Sequence, residues 1–394
     1  MYKKYLKKII FFFLSRYYLL RFLYFEAQKI KKADIVFFLP YYHTGGAERV
    51  HIAILKALQE TKCTVIFTHG SATNNFFKEF SQYANIIELN SILNKKDNWI
   101  NEKLQEIIVK TINTSVSVKS VFGCNTSYYY QIVSKLKDII IKNDLFHAFE
   151  ENDDREIDVV STASIIDNRI VINEVAKRAI LKFYGRHQID SIYNSKIKII
   201  QNGVEIKDSF FQKKSETNFK IGFIGRWSTE KRAYLFLEIA SQIKKKFPKV
   251  CFIMAGTGMK TNLNKIVASG VEFLGEITDD KVLKELYNEL HFVLLPSKYE
   301  GFPMVIMESM AQGVIPIATD VGGLCEHIIN NKNGVLINDG DEDIIVSDFV
   351  DSVGKLISDK EQMVVLSQNA YQYAHTNFQI EKFNDSYKQA LFKK

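Results

Sequence analysis

Short apolar runs alternate with amphipathic stretches from residue 33 onward, and the alternation occurs twice. The first cycle opens with DIVFFLP at 34–40, an unbroken apolar run that predicts a strand buried on both faces. The polar stretch YYHTGGAE follows, then RVHIAILKALQE, in which Val50, Ile54, Ala57 and Leu58 share one helical face. CTVIFTHG at 63–70 is the next predicted strand and completes a strand–helix–strand unit. NIIELN, a helix around 100–110, VKSVFG, a helix over 127–137, NDLFHAF, IDVVSTAS and RIVINE continue this half, which IKIIQNGV closes at 197–204. The second cycle begins with the strand FKIGFIG (219–225), the loop GRWSTEKR, the helix AYLFLEIASQIKKKF and the strand VCFIMAG (250–256). GTGMKTNLNKIVAS, VEFLGE, KVLKELYNEL, FVLLPS, a short helix at 304–312 and IPIATD extend it. DIIVSDFVDSVGKLIS, EQMVVLSQNAYQYAHTNF and IEKFNDSYKQALF then carry helical spacing alone. The pattern predicts an α/β chain of two doubly wound parallel sheets facing a cleft, where ligands of such sheets bind.

The N-terminus breaks the pattern. Residues 9–25 read IIFFFLSRYYLLRFLYF, interrupted by Arg16 and Arg21, so no stretch of 18 uncharged apolar residues is present for a secure span. No small-residue cleavage site marks it as a signal peptide. Lys3, Lys4, Lys7, Lys8 and Arg21 fall on roughly one side of a helix, with aromatic, Leu and Ile side chains over most of the rest. Such a helix lies in a bilayer interface with its cations on anionic headgroups. Packing on the protein's own body and a true span stay open.

Charge sharpens this division. The chain of 394 residues has a formal charge of +7, yet residues 1–32 alone hold nine Lys or Arg and one acid, or +8. The other 362 residues therefore carry 43 basic against 44 acidic side chains, a net of −1. That argues against a broad nucleic-acid face and for one local anionic partner. Cys63, Cys124, Cys251 and Cys325 are widely spaced, and no CxxC or Cys/His ligand spacing is present. A disulfide framework or zinc site is therefore not expected.

The sharpest chemical signal is PSKYEGFPMVIMESMAQGVIPIATDVGG at 296–323. Glu300 lies in the loop after a strand, and Glu308 lies about one turn into the next helix, with Pro303 in its first turn. Carboxylates so placed accept hydrogen bonds from vicinal sugar or ribose hydroxyls, and the free N–H groups of Met304 and Val305 face an anion. In GFIGRWSTEKR, Arg226 and Lys231 flank the loop after a strand and can neutralise a diphosphate. Gly45 and Gly46 of TGGAE let backbone approach a phosphate, and Gly256 and Gly258 form a similar turn beside FLGEI, whose Ile277 could line a base pocket. His147, at the expected end of a strand, faces the cleft and can hydrogen-bond substrate or move a proton. The acidic run Glu150, Glu151, Asp153 and Asp154 reads as hydrated side chains rather than a metal site. No Walker loop, no GxGxxG after the first strand and no GxSxG is present, which disfavours ATP hydrolysis, NAD binding and serine-hydrolase chemistry.

Taken together, TGGAE, NGVE (202–205), GRWSTEKR, AGTG, FLGEI, EGFPMVIMESMAQGVIPIATDVGG and NGVLI (333–337) resemble the retaining family 4 glycosyltransferases of GT-B fold, bacterial surface-polysaccharide type. The likeness covers about residues 34–392 and is stronger in the second half. It implies two Rossmann-like domains, 33–204 on the acceptor side and 205–377 on the donor side, with helix 378–394 returning to the first; 1–32, outside the likeness, is the membrane-associating segment read from its own residues. It implies that Glu300 contacts the transferred sugar, Glu308 the ribose, and Arg226 and Lys231 the diphosphate. Backbone at Gly301, Phe302, Met304 and Val305 would complete the donor site, and Gly45 and Gly46 would close over the phosphates. His147 corresponds to the family's cleft histidine by position. Arg232 departs from the pattern, since many members have Gly after the lysine. No cofactor or metal is implied beyond the nucleoside-diphosphate sugar as co-substrate, UDP being the expected nucleotide. The basic aromatic N-terminus points to a lipid-linked oligosaccharide or lipopolysaccharide acceptor at the cytoplasmic face of the inner membrane. A non-catalytic sugar-nucleotide-binding protein and a GT-B epimerase or phosphorylase are the alternatives.

Overall fold

The computed structural model describes residues 14–90, 98–150, 152–206 and 210–393. Lys3, Lys4, Lys7, Lys8 and Glu151 lie outside them. The first sheet contains β1 (Ile35–Leu39), β2 (Cys63–Phe67), β3 (Ala84–Glu88), β4 (Ser120–Cys124), β5 (Ile141–Phe146), β6 (Asn168–Val171) and β7 (Ile197–Ile199). Its order is β3-β2-β1-β4-β5-β6-β7. The second contains β8 (Lys220–Ile224), β9 (Cys251–Ala255), β10 (Val271–Phe273), β11 (Phe292–Leu295), β12 (Ile315–Thr319) and β13 (Val335–Ile337), in the order β10-β9-β8-β11-β12-β13. Strand pairs are parallel throughout both sheets. The order reverses beside β1 in one sheet and beside β8 in the other, which opens a crevice at each C-terminal edge.

The apolar runs become strands because both faces are covered: β1, β2, β4 and β12 are buried at every residue. IDVVSTAS is mostly helix (Glu156–Ser161). Two expectations are corrected. The helix expected over 127–137 ends at Val133. The helix expected at 304–312 is Met304–Met310, with Pro303 in extended conformation as its N-cap instead of inside the first turn. Helix Glu174–Arg186 and strand β13 were not anticipated.

The two sheets share one apolar core. Ile35, Phe67 and Phe122 of the first belong to the same buried cluster as Phe302, Ile306 and Phe378. The chain crosses between lobes twice, side by side: Val204 bridges Gln379, and its N–H donates to Phe378 O at 2.8 Å. Helix Ile380–Phe392 then buries Phe383, Tyr387 and Leu391 against the first lobe, with the Tyr387 ring 6.5 Å from Phe122. Asn168 Nδ2 donates to Ala390 O at 2.8 Å.

The N-terminal helix runs through residues 14–31, with a π-helical turn at Phe22–Glu26. One face packs on the body: Phe22, Ala27 and Ile30 are buried, and Lys29 Nζ donates to Ile86 O at 2.9 Å. The opposite face leaves Leu14, Tyr17, Leu20, Leu23, Tyr24 and Phe25 exposed. Among the described residues, no helix is long and apolar enough to cross a membrane.

Candidate active site between the two lobes

The loop after β11 carries Glu300 into the junction. Its side chain is 4% exposed and its carboxylate is held from two sides. Lys231 Nζ donates to both oxygens, at 2.6 and 2.7 Å, and Ser297 Oγ donates to Oε1 at 2.7 Å. Thr319 Oγ1 in turn donates to Ser297 O. Gly322 is required behind Glu300. Its φ is +58°, and a methyl group there would stand 1.7 Å from Glu300 O.

Lys231 comes from the loop after β8, where the glycines have a specific task. A methyl group on Gly256 (φ +136°) would meet Gly225 O at 1.9 Å, and one on Gly258 (φ +74°) would meet Trp227 O at 3.2 Å. The bare turn lets the 225–227 segment lie against it, with Trp227 N–H donating to Thr257 O at 2.9 Å. The next residue, Arg232, occupies the left-handed region at φ 46° and caps the following helix. A glycine would sit there without strain. Arg232 instead holds Asp339 at 2.6 Å, an ion pair that offsets the backbone cost.

Glu308 stands on the next helix and reaches toward the first lobe. Tyr287 O–H donates to its Oε2 at 2.9 Å, and Arg49 Nη1 lies 3.8 Å from Oε1. Burial pushes this carboxyl above the usual range, while Arg49 pulls it back. Arg49 also pairs with Asp280 at 2.5 Å, so one arginine of the first lobe spans two carboxylates of the second.

Arg226 is the open member. It is 53% exposed and pairs with Glu230 at 3.2 Å rather than sharing a partner with Lys231. Its charge bears on His43 and Glu48 across the cleft. Gly45 caps the helix that begins at Gly46, and a methyl group on Gly45 would strike Glu48 Oε2 at 2.2 Å. Glu48 is therefore folded against Gly45, and burial raises its pKa to about 6. Burial, assisted by Arg226, lowers the pKa of His43.

His147 follows β5 at the edge facing the second lobe. A methyl group on Gly301 would lie 2.5 Å from His147 O, so the lobes meet backbone to backbone here. Burial, and then the Arg155 charge, hold the imidazole at about 4, neutral at pH 7. Asn173 Nδ2 donates to Gly301 O at 3.2 Å, and the Glu326 carboxylate accepts from Glu174 N and Val175 N at the start of helix Glu174–Arg186. An anion at that end is favoured by the free N–H groups.

The side chains of the remaining candidates pack at the junction. Phe302 is buried against His327, ring centroids 4.3 Å apart, and against Phe378. Met304, Val305 and Ile277 are partly buried on the shared core. The fold thus joins Glu300 to Lys231 directly, and sets Glu308 and Arg226 facing the first lobe. Sequence reasoning missed Glu48, Arg49, Ser297 and Tyr287. Ser297 and Tyr287 carry no local signal, whereas Glu48 and Arg49 lie two and three residues after the glycine pair.

Two Rossmann-like lobes with ionic side chains at their junction define the GT-B class of fold. HepE of Anabaena, solved in complex with UDP-glucose, superposes on 90% of this chain and 98% of its own with a TM-score of 0.70 at 20% identity. Residues 205–373, most of the second lobe, match the family model Glycosyl transferases group 1. The capsular polysaccharide biosynthesis glycosyltransferase CapM of Staphylococcus aureus is 24% identical over 227 residues, 56% of this chain and 57% of that protein. The D-inositol 3-phosphate glycosyltransferase of Corynebacterium urealyticum is 26% identical over 167 residues, 39% of this chain and 38% of that one. The chain spans about half the length of the curated relatives it matches.

Proposed function

We propose that this protein is a glycosyltransferase that moves a hexose from a nucleoside-diphosphate sugar to a hydroxyl of a lipid-linked or lipopolysaccharide acceptor, with retention. The observation that carries the reading is the Lys231–Glu300 pair at the lobe junction within a group 1 domain. In the free protein each group serves as the other's counterion. A donor separates them: its diphosphate takes Lys231, and the sugar hydroxyls donate to Glu300, which Ser297 keeps in place. Glu308, held by Tyr287, accepts from the ribose hydroxyls. Arg226, exposed and tied only to Glu230, turns onto the diphosphate as it gains charge.

The C1–O bond to the diphosphate breaks while the acceptor oxygen bonds C1 on the same face. The acceptor proton passes to the departing phosphate oxygen, so no protein base is needed. Lys231 and Arg226 neutralise the leaving group without a cation. Gly45 and Gly46 leave room for phosphate, and neutral His147 offers a hydrogen bond from the acceptor-side wall.

A polymer or lipid-linked acceptor is supported by the capsular role in the name of one relative and by the apolar face of helix 14–31. UDP is the expected nucleotide, and the cytoplasmic face of the inner membrane is the expected location. A panel of UDP- and GDP-sugars with membrane extract as acceptor tests the reading. Release of one nucleoside diphosphate, dependent on the extract, is the expected result. Donor binding without release would favour a non-catalytic binder, and conversion of the donor without transfer would favour an epimerase.

A further inference from the structure

Below the His147 end of the cleft lies a side-chain cluster in which His147 meets two residues, His51 and Cys124, that the transfer chemistry does not use. His51 projects from helix Gly46–Ala57, Cys124 ends β4, and His147 follows β5. The strands make them neighbours: β4 lies between β1 and β5, and Cys124 is in register with Leu145, two residues before His147. One ligand atom from each of the three lies within 4.8 Å of the others. The two imidazole rings stand 5.5 Å apart, tilted by 50°.

The cluster is unsatisfied. Both ring nitrogens of His51 and Nε2 of His147 are buried without a hydrogen-bond partner. His51 is 2% exposed, and Cys124 is a free, fully buried thiol. A buried polar atom without a partner costs about 1–3 kcal/mol, so three in one spot require an explanation. A thiol is a weak hydrogen-bonding group and does little for either histidine.

We propose that His51, Cys124 and His147 bind a single zinc-type transition-metal ion. One thiolate and two imidazoles form a borderline-soft set that suits Zn²⁺ or Co²⁺ and, lacking carboxylates, suits Mg²⁺ or Ca²⁺ poorly. Metal binding would expel the Cys124 proton and take one nitrogen from each histidine, with the fourth position left to water or a substrate oxygen. Arg155 is the adverse charge nearby, and its bond to Asp153 at 2.5 Å largely balances it. Glu48 and Asp144 add negative potential at Cys124. The ion takes no ligand from Lys231 or Arg226, which stay assigned to the diphosphate. Its effect on the cleft is to fix the His147 ring, leaving the other nitrogen as an N–H donor.

The sequence gives no hint of this set, because its members are 73 and 23 residues apart and come from three elements. The test uses the full chain, stripped with a chelator, dialysed and titrated with Co²⁺ alone. The expected result is a near-ultraviolet thiolate-to-cobalt band with visible bands of a four-coordinate ion, saturating at one equivalent and bleached by Zn²⁺. Cys124→Ser should abolish the near-ultraviolet band, and His51→Gln should weaken binding by roughly tenfold or more. If Cys124→Ser does not fold, the wild-type band and His51→Gln decide. No stoichiometric uptake by the wild type, or uptake undiminished in folded variants, would mean that ordered water fills the cluster and would overturn the site. Because the readout is spectroscopic, it is independent of whether the protein transfers sugar.

Discussion

The pair formed by Lys231 and Glu300 is short, bidentate and largely shielded, so its loss is felt in two ways. Glu300→Ala should lower kcat by two or more orders of magnitude while the fold persists, since Lys231 retains some solvent access (~2.7 kcal/mol of lost transition-state stabilisation). Near-wild-type turnover would remove Glu300 from the chemistry. Glu48 makes a different prediction. Its folded pKa, about 6, lies above the ordinary 4.5 because of burial. Between those values the folded state binds more protons than the unfolded state. Stability therefore falls as pH rises from 4.5 to 6 and stays lower above 6, by ~2 kcal/mol. Glu48→Gln removes that slope, and urea unfolding across this range should show the variant gaining on the wild type as pH rises. Parallel profiles would contradict the assignment. Glu300, Glu308, Arg226 and Lys231 were legible in the sequence because each sits at a predicted strand end or helix start. Tyr287, Ser297, His51 and Cys124 were not, because their significance comes from partners far along the chain.

At the level of elements, the strands were legible as unbroken apolar runs, since parallel strands covered on both faces lose the two-residue alternation. β13 was not, because its three apolar residues lie between the polar stretches NNKNG and NDGDED, and Val335 and Ile337 flank the partly exposed Leu336 in a strand that pairs only along β12. The turns between elements carry the demands that the strands do not. Gly301 makes the tightest approach to backbone across the lobes: an added methyl would lie 2.5 Å from His147 O and 3.0 Å from Ile172 Cδ1. The first of these is backbone and cannot turn aside, so Gly301→Ala must part the lobes locally. Because Glu300 is its neighbour, the expected outcome is a fall in kcat of roughly tenfold or more with little change in Tm, since neither sheet is touched. A drop in Tm without a change in kcat would assign Gly301 to stability alone.

The whole molecule is held together by the paired crossings at Val204 and Gln379 and by the last helix, which places Tyr387 in the core of the first lobe. Truncation after residue 379 should therefore unfold the lobe it leaves behind, with Phe122 and Tyr387's other neighbours exposed to water, and limited proteolysis of the first lobe would detect it. The opposite end of the chain has one face too many. Helix 14–31 buries Phe22, Ala27 and Ile30, yet leaves Tyr24 70% and Phe25 67% exposed beside Arg21. An acceptor carried on a lipid would bring the first lobe to a bilayer, where aromatic rings enter the acyl boundary and each Arg near an anionic surface contributes about 1 kcal/mol. The full chain should therefore sediment with vesicles containing anionic lipid and leave them as salt is raised. Replacing Leu20, Tyr24 and Phe25 by serine should weaken that binding severalfold while donor binding is unchanged, because none of the three touches the cleft. Equal sedimentation of the triple variant would place the membrane contact elsewhere, and equal binding to neutral vesicles would remove the charge argument.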